Sequence, residues 1–313
     1  MLGKTAGGLF WMFRYLERSE NTTRLLDTGI RIAVTRSSAA ENEWASIVST
    51  AGVRGAFLAR HDDFEAGKVI DFLLRDRSNP SSVLSVVEAA RNNARLVRTA
   101  LTREVWEATN ECWMTLKATL SRPVSTKNLT GVLATVRQQS GLVRGALHGT
   151  MLRNDIYNFT RLGTFIERAD STARILDVKY YVLLPSVSHV GSSLDNVQWE
   201  TILRSVSGLR AYRWKHGGEI TPTGIAEFLV LDRQMPRSLA FCFNKIVDNL
   251  GYLADNYGQR HPCHELADKI STRFSKTTIA SIFDYGLHEY IVDFLRDSNA
   301  LGQQIEQDFR FIE

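Results

Sequence analysis

The stretch Tyr15-Leu-Glu-Arg-Ser-Glu-Asn-Thr-Thr-Arg-Leu-Leu-Asp27 returns 150 residues later as Phe165-Ile-Glu-Arg-Ala-Asp-Ser-Thr-Ala-Arg-Ile-Leu-Asp177. The identical positions are Glu17 and Glu167, Arg18 and Arg168, Thr22 and Thr172, Arg24 and Arg174, Leu26 and Leu176, and Asp27 and Asp177. A chain that contains two copies of one segment supplies its own alignment. The stretch therefore predicts an internal duplication, and the duplication directs the prediction of the fold.

Further matches follow in the same order along the chain. At spacings of 155 and 156 residues they pair Trp44 with Trp199, Gly52–Arg54 with Gly208–Arg210, and Phe72–Ser82 with Phe228–Ser238. Collinear matches at nearly one spacing indicate homologous halves, residues 8–150 and 158–313, within a single domain of residues 1–313. We expect the halves to pack about an approximate two-fold axis, with the matched tryptophans in the core.

The duplicated stretch is expected to be helical. No proline interrupts residues 9–32, and the apolar residues there recur at a spacing compatible with one face of a long helix. The matching helix is expected to begin near Tyr157 or Asn158 and to end before Pro185, because proline cannot continue a helix interior.

Helix entries are predicted at Asn79-Pro80 and at Met235-Pro236, with Ser78 or Asn79 as the cap of the first. An amphipathic helix is expected from Val83 to Leu101. Alternating strand patterns are not convincing anywhere in the sequence. The predicted fold class is all-α, an antiparallel bundle of roughly ten or more helices.

Composition places the chain among ordinary globular proteins. Of its 313 residues, 44% are hydrophobic and 23% are charged, which excludes the disordered, fibrous and disulfide-rich classes. Cys112, Cys242 and Cys263 form no Cys-x-x-Cys pair, so we expect a reducing cytoplasm rather than a disulfide framework. Neither a signal peptide nor a transmembrane segment is predicted.

The charge balance favours ion pairs over nucleic-acid binding. The net charge is only +4, and 29 of the 38 cations are arginine. Arginine suits bidentate pairing with carboxylate or phosphate, so the bias indicates internal ion pairs or an anion site. A nucleic-acid binder would usually carry a larger excess and lysine-rich runs, although the isoelectric point near 9.0 keeps that hypothesis open in third place.

The repeated Glu-Arg pairs supply the first candidate site. Arg14, Glu17, Asn21 and Arg24 form one polar stripe of a helix, with Arg18 on a neighbouring face. Their recurrence favours a partly buried structural network, which also includes Arg24, Asp27, Arg174 and Asp177. We expect Arg14, Ser19 and Asn21, which changed between the copies, to be exposed. A direct functional site remains open, with Glu17, Arg18, Glu167 and Arg168 as catalytic candidates.

A row of arginines supplies the second candidate site. Arg91, Arg95 and Arg98 are spaced by four and three residues, which predicts that they share one helix face. The second half has no such row. Either the row pairs with acids such as Glu88 or Glu104, or it binds an anion or an acidic partner.

Other motifs do not predict a cofactor or a metal. His261-Pro-Cys-His264 is crowded around a proline without a second cluster, which favours a helix end over a zinc site. Asp62-Asp63-Phe-Glu65 is one residue short of the acid-rich motif of isoprenoid synthases. Phosphate-binding loops, nucleophile elbows and dinucleotide-binding turns are absent from the sequence.

These segments together resemble the alpha-E family over nearly the whole chain. The resemblance rests on the two Glu-Arg segments, Asn79-Pro-Ser-Ser82, Ala90–Arg98, Glu104–Glu107 and Phe228–Ser238. It implies a bacterial, all-helical protein encoded beside or fused to circularly permuted ATP-grasp ligases, often near transglutaminase-like peptidases. Such neighbours imply a system that makes, attaches or removes a small peptide or an amide-linked tag, and they imply no established catalytic residue.

Two hypotheses about function follow from the residues and from the resemblance. The first is a non-catalytic accessory or interaction protein that binds the ATP-grasp ligase, its peptide product or both. The second is an enzyme of the same pathway, with Glu17 or Glu167 as general base and arginines that hold a carboxylate-bearing substrate. Substrate, partner surface and oligomeric state are not specified by the sequence.

Overall fold

A computed structural model describes the backbone of residues 1–35, 40–183, 193–218 and 220–312, and the side chains of residues 1–31, 44–177, 199–218 and 220–312. Within these ranges the regular structure is helical and no strand occurs. The all-α prediction is confirmed. No helix in the described ranges is long and apolar enough to cross a membrane.

The helices differ widely in length, from five to 33 residues. Those before residue 151 are α1 (Gly3–Thr35), α2 (Ala40–Thr50), α3 (Arg54–Leu58), α4 (Ala66–Leu74), α5 (Val83–Leu96), α6 (Arg103–Thr119) and α7 (Thr126–Thr150). Those after it are α8 (Asp155–Leu183), α9 (Ser193–Ser205), α10 (Leu209–His216), α11 (Pro222–Val230), α12 (Leu239–Tyr257), α13 (Pro262–Lys276), α14 (Ile279–Tyr285) and α15 (Leu287–Asp308).

The two longest helices, α1 and α8, pack against each other at the centre of the bundle. Around α1 lie α5 and α7, and around α8 lie α12 and α15. Helix α9 also contacts α1, and α2 contacts α8. Both central helices therefore have neighbours on many sides, which explains why polar as well as apolar residues of the duplicated stretch are buried.

Both central helices extend beyond the predicted limits. Helix α1 begins six residues before Leu9 and continues past Ile32, while α8 begins two residues before Tyr157. Pro185 lies outside the described residues. Trp44 and Trp199 are both buried in the apolar core, as expected.

The predicted caps of α5 were wrong by three or four residues. Ser82 is the cap, and its hydroxyl accepts from Ser85 N. Asn79 instead closes a turn: its amide donates to Phe72 O at 3.0 Å and its Oδ1 accepts from Ser81 N. Pro80 therefore lies in the preceding turn rather than in the first helical turn.

The predicted helix from Val83 to Leu101 is shorter than expected. Helix α5 ends at Leu96, and a 3-10 turn follows at Arg98–Ala100. This break places Arg98 outside the helix that carries Arg91 and Arg95.

Candidate functional site

The Glu-Arg pairs of α1 and α8 bond to each other in a crossed arrangement. Arg18 of α1 donates to Glu167 of α8 through Nε at 2.5 Å and through Nη2 at 3.0 Å. Arg168 of α8 donates to Glu17 of α1 through Nε and Nη2, both at 2.9 Å. Each pair is bidentate, the geometry in which guanidinium and carboxylate bind most strongly. The central helices are thus joined by reciprocal ion pairs.

Two further arginines, from other parts of the fold, also contact Glu17. Glu17 also lies 3.2 Å from Nη1 of Arg237, in the turn before α12, and 3.5 Å from Nη1 of Arg144 in α7. Both arginines also pair with Glu20, which in addition pairs with Arg24. Glu17 and Glu20 are nearly inaccessible to solvent.

The cluster around Glu167 is built from α1 and α8 alone. Besides Arg18, Arg14 donates to Glu167 Oε2 from Nε at 3.0 Å. One turn further along α8, Arg174 donates to both oxygens of Asp170, at 2.6 and 3.3 Å. This cluster contains three arginines and two carboxylates, so it carries one excess positive charge.

These contacts hold the central carboxylates in their ionised form. Burial alone would raise the pKa of Glu167, but the charges of Arg18 and Arg14 outweigh it and lower the pKa to about 2. For Glu17, burial is likewise outweighed by Arg168 and Arg237, and the pKa lies well below its usual range. Neither carboxylate is therefore prepared to take up a proton near neutral pH.

Several side chains differ from their predicted environment. Ser19 and Asn21 are buried rather than exposed: Ser19 shares a hydrogen bond with Ser140, and the Asn21 amide contacts the carbonyl of Glu167. The polar stripe faces a neighbouring helix, which periodicity within one helix does not specify. Arg14 is likewise largely covered, because it reaches Glu167.

The two repeated aspartates lie outside the central clusters. Asp27 pairs with Arg31, one turn along α1, at 3.3 Å. Asp177 pairs with Nδ1 of His288 in α15 at 2.6 Å. The predicted network of Arg24, Asp27, Arg174 and Asp177 is therefore divided: Arg24 and Arg174 belong to the two central clusters through Glu20 and Asp170, while the aspartates pair elsewhere.

Only one of the two clusters borders a sizeable cavity in the described part of the chain. A cleft of about 280 Å³ is lined by residues that include Arg14, Arg18, Glu167, Asp170 and Arg174. Next to Glu17, the void is about 10 Å³, roughly the space of one water molecule. Glu167 thus faces a cleft, whereas Glu17 lies in a closed core.

The arginine row does not form a single cluster. Arg91 donates to Asn110 Oδ1 at 2.8 Å, and the guanidinium of Arg98 lies over the ring of Trp106 at 5.1 Å. Arg95 is exposed and has no hydrogen bond or ion pair to any described residue. Pairing of the row with Glu88 or Glu104 is not observed, since Glu88 bonds to Arg77. Binding of an anion or acidic partner here stays a prediction.

The His261–His264 segment is a helix start. His264 accepts at Nδ1 from the backbone N of His261, and its Nε2 lies 3.0 Å from Leu250 O. Helix α13 begins at Pro262. In the described ranges, no group of three histidine, cysteine, aspartate or glutamate residues is arranged to hold a metal ion.

Sequence reasoning missed Arg144 and Arg237, which complete the Glu17 cluster. Arg237 corresponds to Ser81 in the first half, at the spacing that matches Pro80 with Pro236. Because this arginine occurs in one half only, the repeat gave it no signal. The excess of arginine over lysine was the available indication that further arginines form internal ion pairs. In the structure, several arginines pair with the repeated glutamates.

Comparison with known proteins identifies a family that is defined by a Glu-Arg motif. A family model described as a predicted alpha-helical domain with a conserved ER motif, Alpha-E, matches residues 1–309. The chain belongs to the Alpha-E family. Glu17–Arg18 and Glu167–Arg168 both have the residue types that this motif names.

Similar curated proteins occur in mycobacteria. An uncharacterized protein of Mycobacterium bovis and two of Mycobacterium tuberculosis are each 24% identical to this Alpha-E chain over 287 residues. The match covers 86% of this chain but 32% of each relative, so the chain spans about a third of their length. No solved structure is detectably similar.

Proposed function

We propose that this Alpha-E chain is a non-catalytic accessory or interaction protein of a circularly permuted ATP-grasp ligase system. In this proposal it binds the ligase, its peptide product or both. The resemblance supplies the ligase context. The observation that carries the non-catalytic part is the reciprocal pairing of Glu17 and Glu167 with arginines of the opposite helix.

A carboxylate used for proton transfer needs a pKa near the working pH and access to its substrate. Glu17 is closed off by Arg144, Arg168 and Arg237, and its pKa is lowered. Glu167 borders the cleft, but it is held by Arg14 and Arg18 and its pKa is about 2. These contacts weigh against the alternative, an enzyme that uses the Glu-Arg pairs as base and anion clamp.

The proposal includes two homologous halves, residues 8–150 and 158–313, related by an approximate two-fold axis. Three features support it: the collinear sequence matches, the reciprocal Glu-Arg pairs, and the parallel surroundings of α1 and α8. A cytoplasmic location is also proposed, and it is supported by Cys112, Cys242 and Cys263, which are buried free thiols.

Co-purification tests the proposed association. The gene would be expressed together with a circularly permuted ATP-grasp ligase encoded beside it, and one partner would carry an affinity tag. We expect a complex that survives gel filtration, and a rate of peptide formation by the ligase that rises when this chain is present. Two separate gel-filtration peaks and unchanged ligase activity would contradict the proposal.

The arginine row supplies the partner surface in this proposal. Arg95 is exposed without a described partner, so Arg95→Ala removes a charge from the surface without breaking an internal contact. We expect weaker ligase binding, by about tenfold, and a thermal midpoint within about one degree of wild type. Arg103, an exposed arginine that pairs with Glu107, supplies the matched control: Arg103→Ala should leave ligase binding unchanged.

A further inference from the structure

The cleft beside Glu167 exists because arginines present on one side of the molecule are missing on the other. At the Glu17 cluster, Arg237 reaches Glu17 and Glu20. The position that matches Arg237 in the first half is Ser81, and Ser81 lines the cleft. A short hydroxyl there leaves open the space that a guanidinium occupies in the other cluster.

A second arginine of the Glu17 cluster, in α7, also has no arginine at the matching position, which lies in α15. The buried positions of α7 and α15 match at a spacing of 158, as in Leu133 and Ile291, Ser140 and Ser298, and Leu147 and Ile305. On this alignment Arg144 matches Gly302. Nη1 of Arg14 lies 3.7 Å from where a Cβ on Gly302 would be, so the glycine makes room beside the Glu167 cluster.

The guanidinium groups of the cleft have donors to spare. Arg18 and Arg174 each use Nε and Nη2 on a carboxylate, and neither Nη1 has an acceptor among the described residues. Nη1 of Arg174 lies near the bare backbone of Gly52, which also lines the cleft. Both side chains are partly accessible, at 26% and 37%, so a ligand can reach them.

Thr50 is an independent indication of a ligand. Thr50 is one of the residues that line the cleft, and its hydroxyl, which is almost inaccessible to solvent, has no hydrogen-bond partner among the described residues. Other helical threonines, such as Thr22 and Thr164, donate to the carbonyl four residues earlier, although the buried hydroxyl of Thr172, outside the cleft, also lacks a partner among the described residues. A buried hydroxyl without a partner is costly, and a bound acceptor would remove that cost.

We infer that this cleft binds a small molecule that has one carboxylate group and an apolar part, as N-acylated amino acids and short peptides have. Arg18 and Arg174 hold the carboxylate, and the Thr50 hydroxyl, once its side chain rotates towards the cleft, donates a hydrogen bond to the ligand. Leu25, Leu73 and Ile175 line the cleft and contact the apolar part.

Charge and size select this class of ligand. Three arginines face two carboxylates, so a single negative charge brings the cleft to neutrality, whereas a phosphate monoester at pH 7 carries about 1.5 to 2 negative charges. The volume of about 280 Å³ lies just below the ~300–1,000 Å³ of small-molecule sites, which suits a residue or two rather than a long peptide.

The inference deepens the proposed peptide-binding role and rests on it. Binding to a free carboxylate can be measured without a ligase, while co-purification measures ligase association without a small ligand. A negative result in the titration is therefore distinguishable from a negative result in the co-purification.

Calorimetric titration with N-acetyl-L-leucine, its neutral amide and inorganic phosphate tests the inference. We expect the acid to bind at millimolar or lower concentration and both other probes to bind at least about tenfold more weakly. Absence of acid binding, or equal binding of the amide or of phosphate, would overturn the inference.

Two variants place the binding in the cleft. Ser81→Arg restores the arginine of the other half, where it can pair with Glu167 and Asp170, and should weaken acid binding by at least about tenfold. Gly131→Arg adds the same charge at an exposed helical position with open space around it and is the matched control. Equal affinity of both variants would show that the acid binds elsewhere.

Thr50→Val decides the matter if Ser81→Arg does not fold. The change keeps the shape and removes the hydroxyl that has no described partner. We expect several-fold weaker acid binding with an unchanged or raised thermal midpoint. Unchanged affinity in Thr50→Val, or a large loss of stability with unchanged affinity, would assign the hydroxyl to the fold and overturn its role in binding.

Discussion

The two central glutamates differ in what surrounds them, although their sequence contexts match. Glu17 faces arginines in a closed core, while Glu167 faces Arg14 and Arg18 beside a cleft. Removing one partner of a buried ion pair leaves the other uncompensated, and water can relieve that penalty only where it has access. The same substitution should therefore have different effects in the two copies.

Glu17→Gln should lower the free energy of unfolding by about 3–5 kcal/mol, because Arg144, Arg168 and Arg237 lose their shared carboxylate in a closed site. Glu167→Gln should cost less, about 1–3 kcal/mol, because the cleft admits water to its arginines. Urea denaturation followed by circular dichroism measures both. Equal losses would contradict the difference between a closed and an open cluster.

Because the pKa values of Glu17 and Glu167 are lowered in the folded protein, the free energy of unfolding should decrease in acid. Unfolded glutamates have a pKa of about 4.3, above the folded values of Glu17 and Glu167, so the unfolded chain binds more protons in acid. Stability should be full above about pH 5 and should fall steadily as the pH drops towards 2. Urea midpoints measured from pH 7 to pH 3 test this, and a midpoint that rises on acidification would contradict it.

At the scale of elements, α1 and α8 approach closely at Gly163. A Cβ on this glycine would lie 2.1 Å from Phe10 O, a backbone atom that cannot move aside without displacing α1. The matching residue in the other copy is Phe13, so the two helices do not approach in the same way on both sides.

Gly163→Ala should therefore destabilise the bundle by about 1–3 kcal/mol, despite the better helix propensity of alanine. Gly145→Ala is the matched control: it lies in α7 with no atom within 4 Å of a new Cβ, and it should stabilise by about 0.5–1 kcal/mol. Thermal unfolding compares the two variants. If both raised the midpoint, the close contact between α1 and α8 would be refuted.

How much the sequence could predict differs from element to element. The long proline-free stretches predicted α1 and α8 because periodicity and proline positions act locally. The cap of α5 was misplaced because Asn79 and Ser82 can both accept a backbone hydrogen bond, and Asn79 is used for the turn instead. The end of α5 before Arg98 was missed for a different reason: no glycine or proline marks it in the sequence.

The sequence pattern could not predict which side chains of α1 and α8 pair with each other. The repeat indicated that Glu17 and Glu167 are buried with arginines, but the periodicity of a single helix cannot specify that each glutamate bonds the arginine of the other copy. Arg144 and Arg237 each lack an arginine at the matching position of the other copy, so comparing the repeated segments could reveal them only as differences. One of the matching positions, Ser81, lines the cleft.

At the scale of the whole molecule, the repeated charges join helices and the departures from the repeat leave space for a ligand. Buried ion pairs of this kind contribute to a defined arrangement of α1 against α8. In the proposed role, central carboxylates held in this way serve binding rather than proton transfer. The proposed accessory role and the proposed carboxylate site both follow from that division.

The ionisation state of Glu17 and Glu167 is therefore the property to measure. Carboxyl carbons of glutamate, labelled with carbon-13 and assigned with Glu17→Gln and Glu167→Gln, report each group in a pH titration by nuclear magnetic resonance. We expect both resonances to stay at their ionised position from pH 7 until the protein unfolds in acid, while exposed glutamates titrate near pH 4.3. A midpoint above about pH 6 for either residue would identify a base and contradict the account.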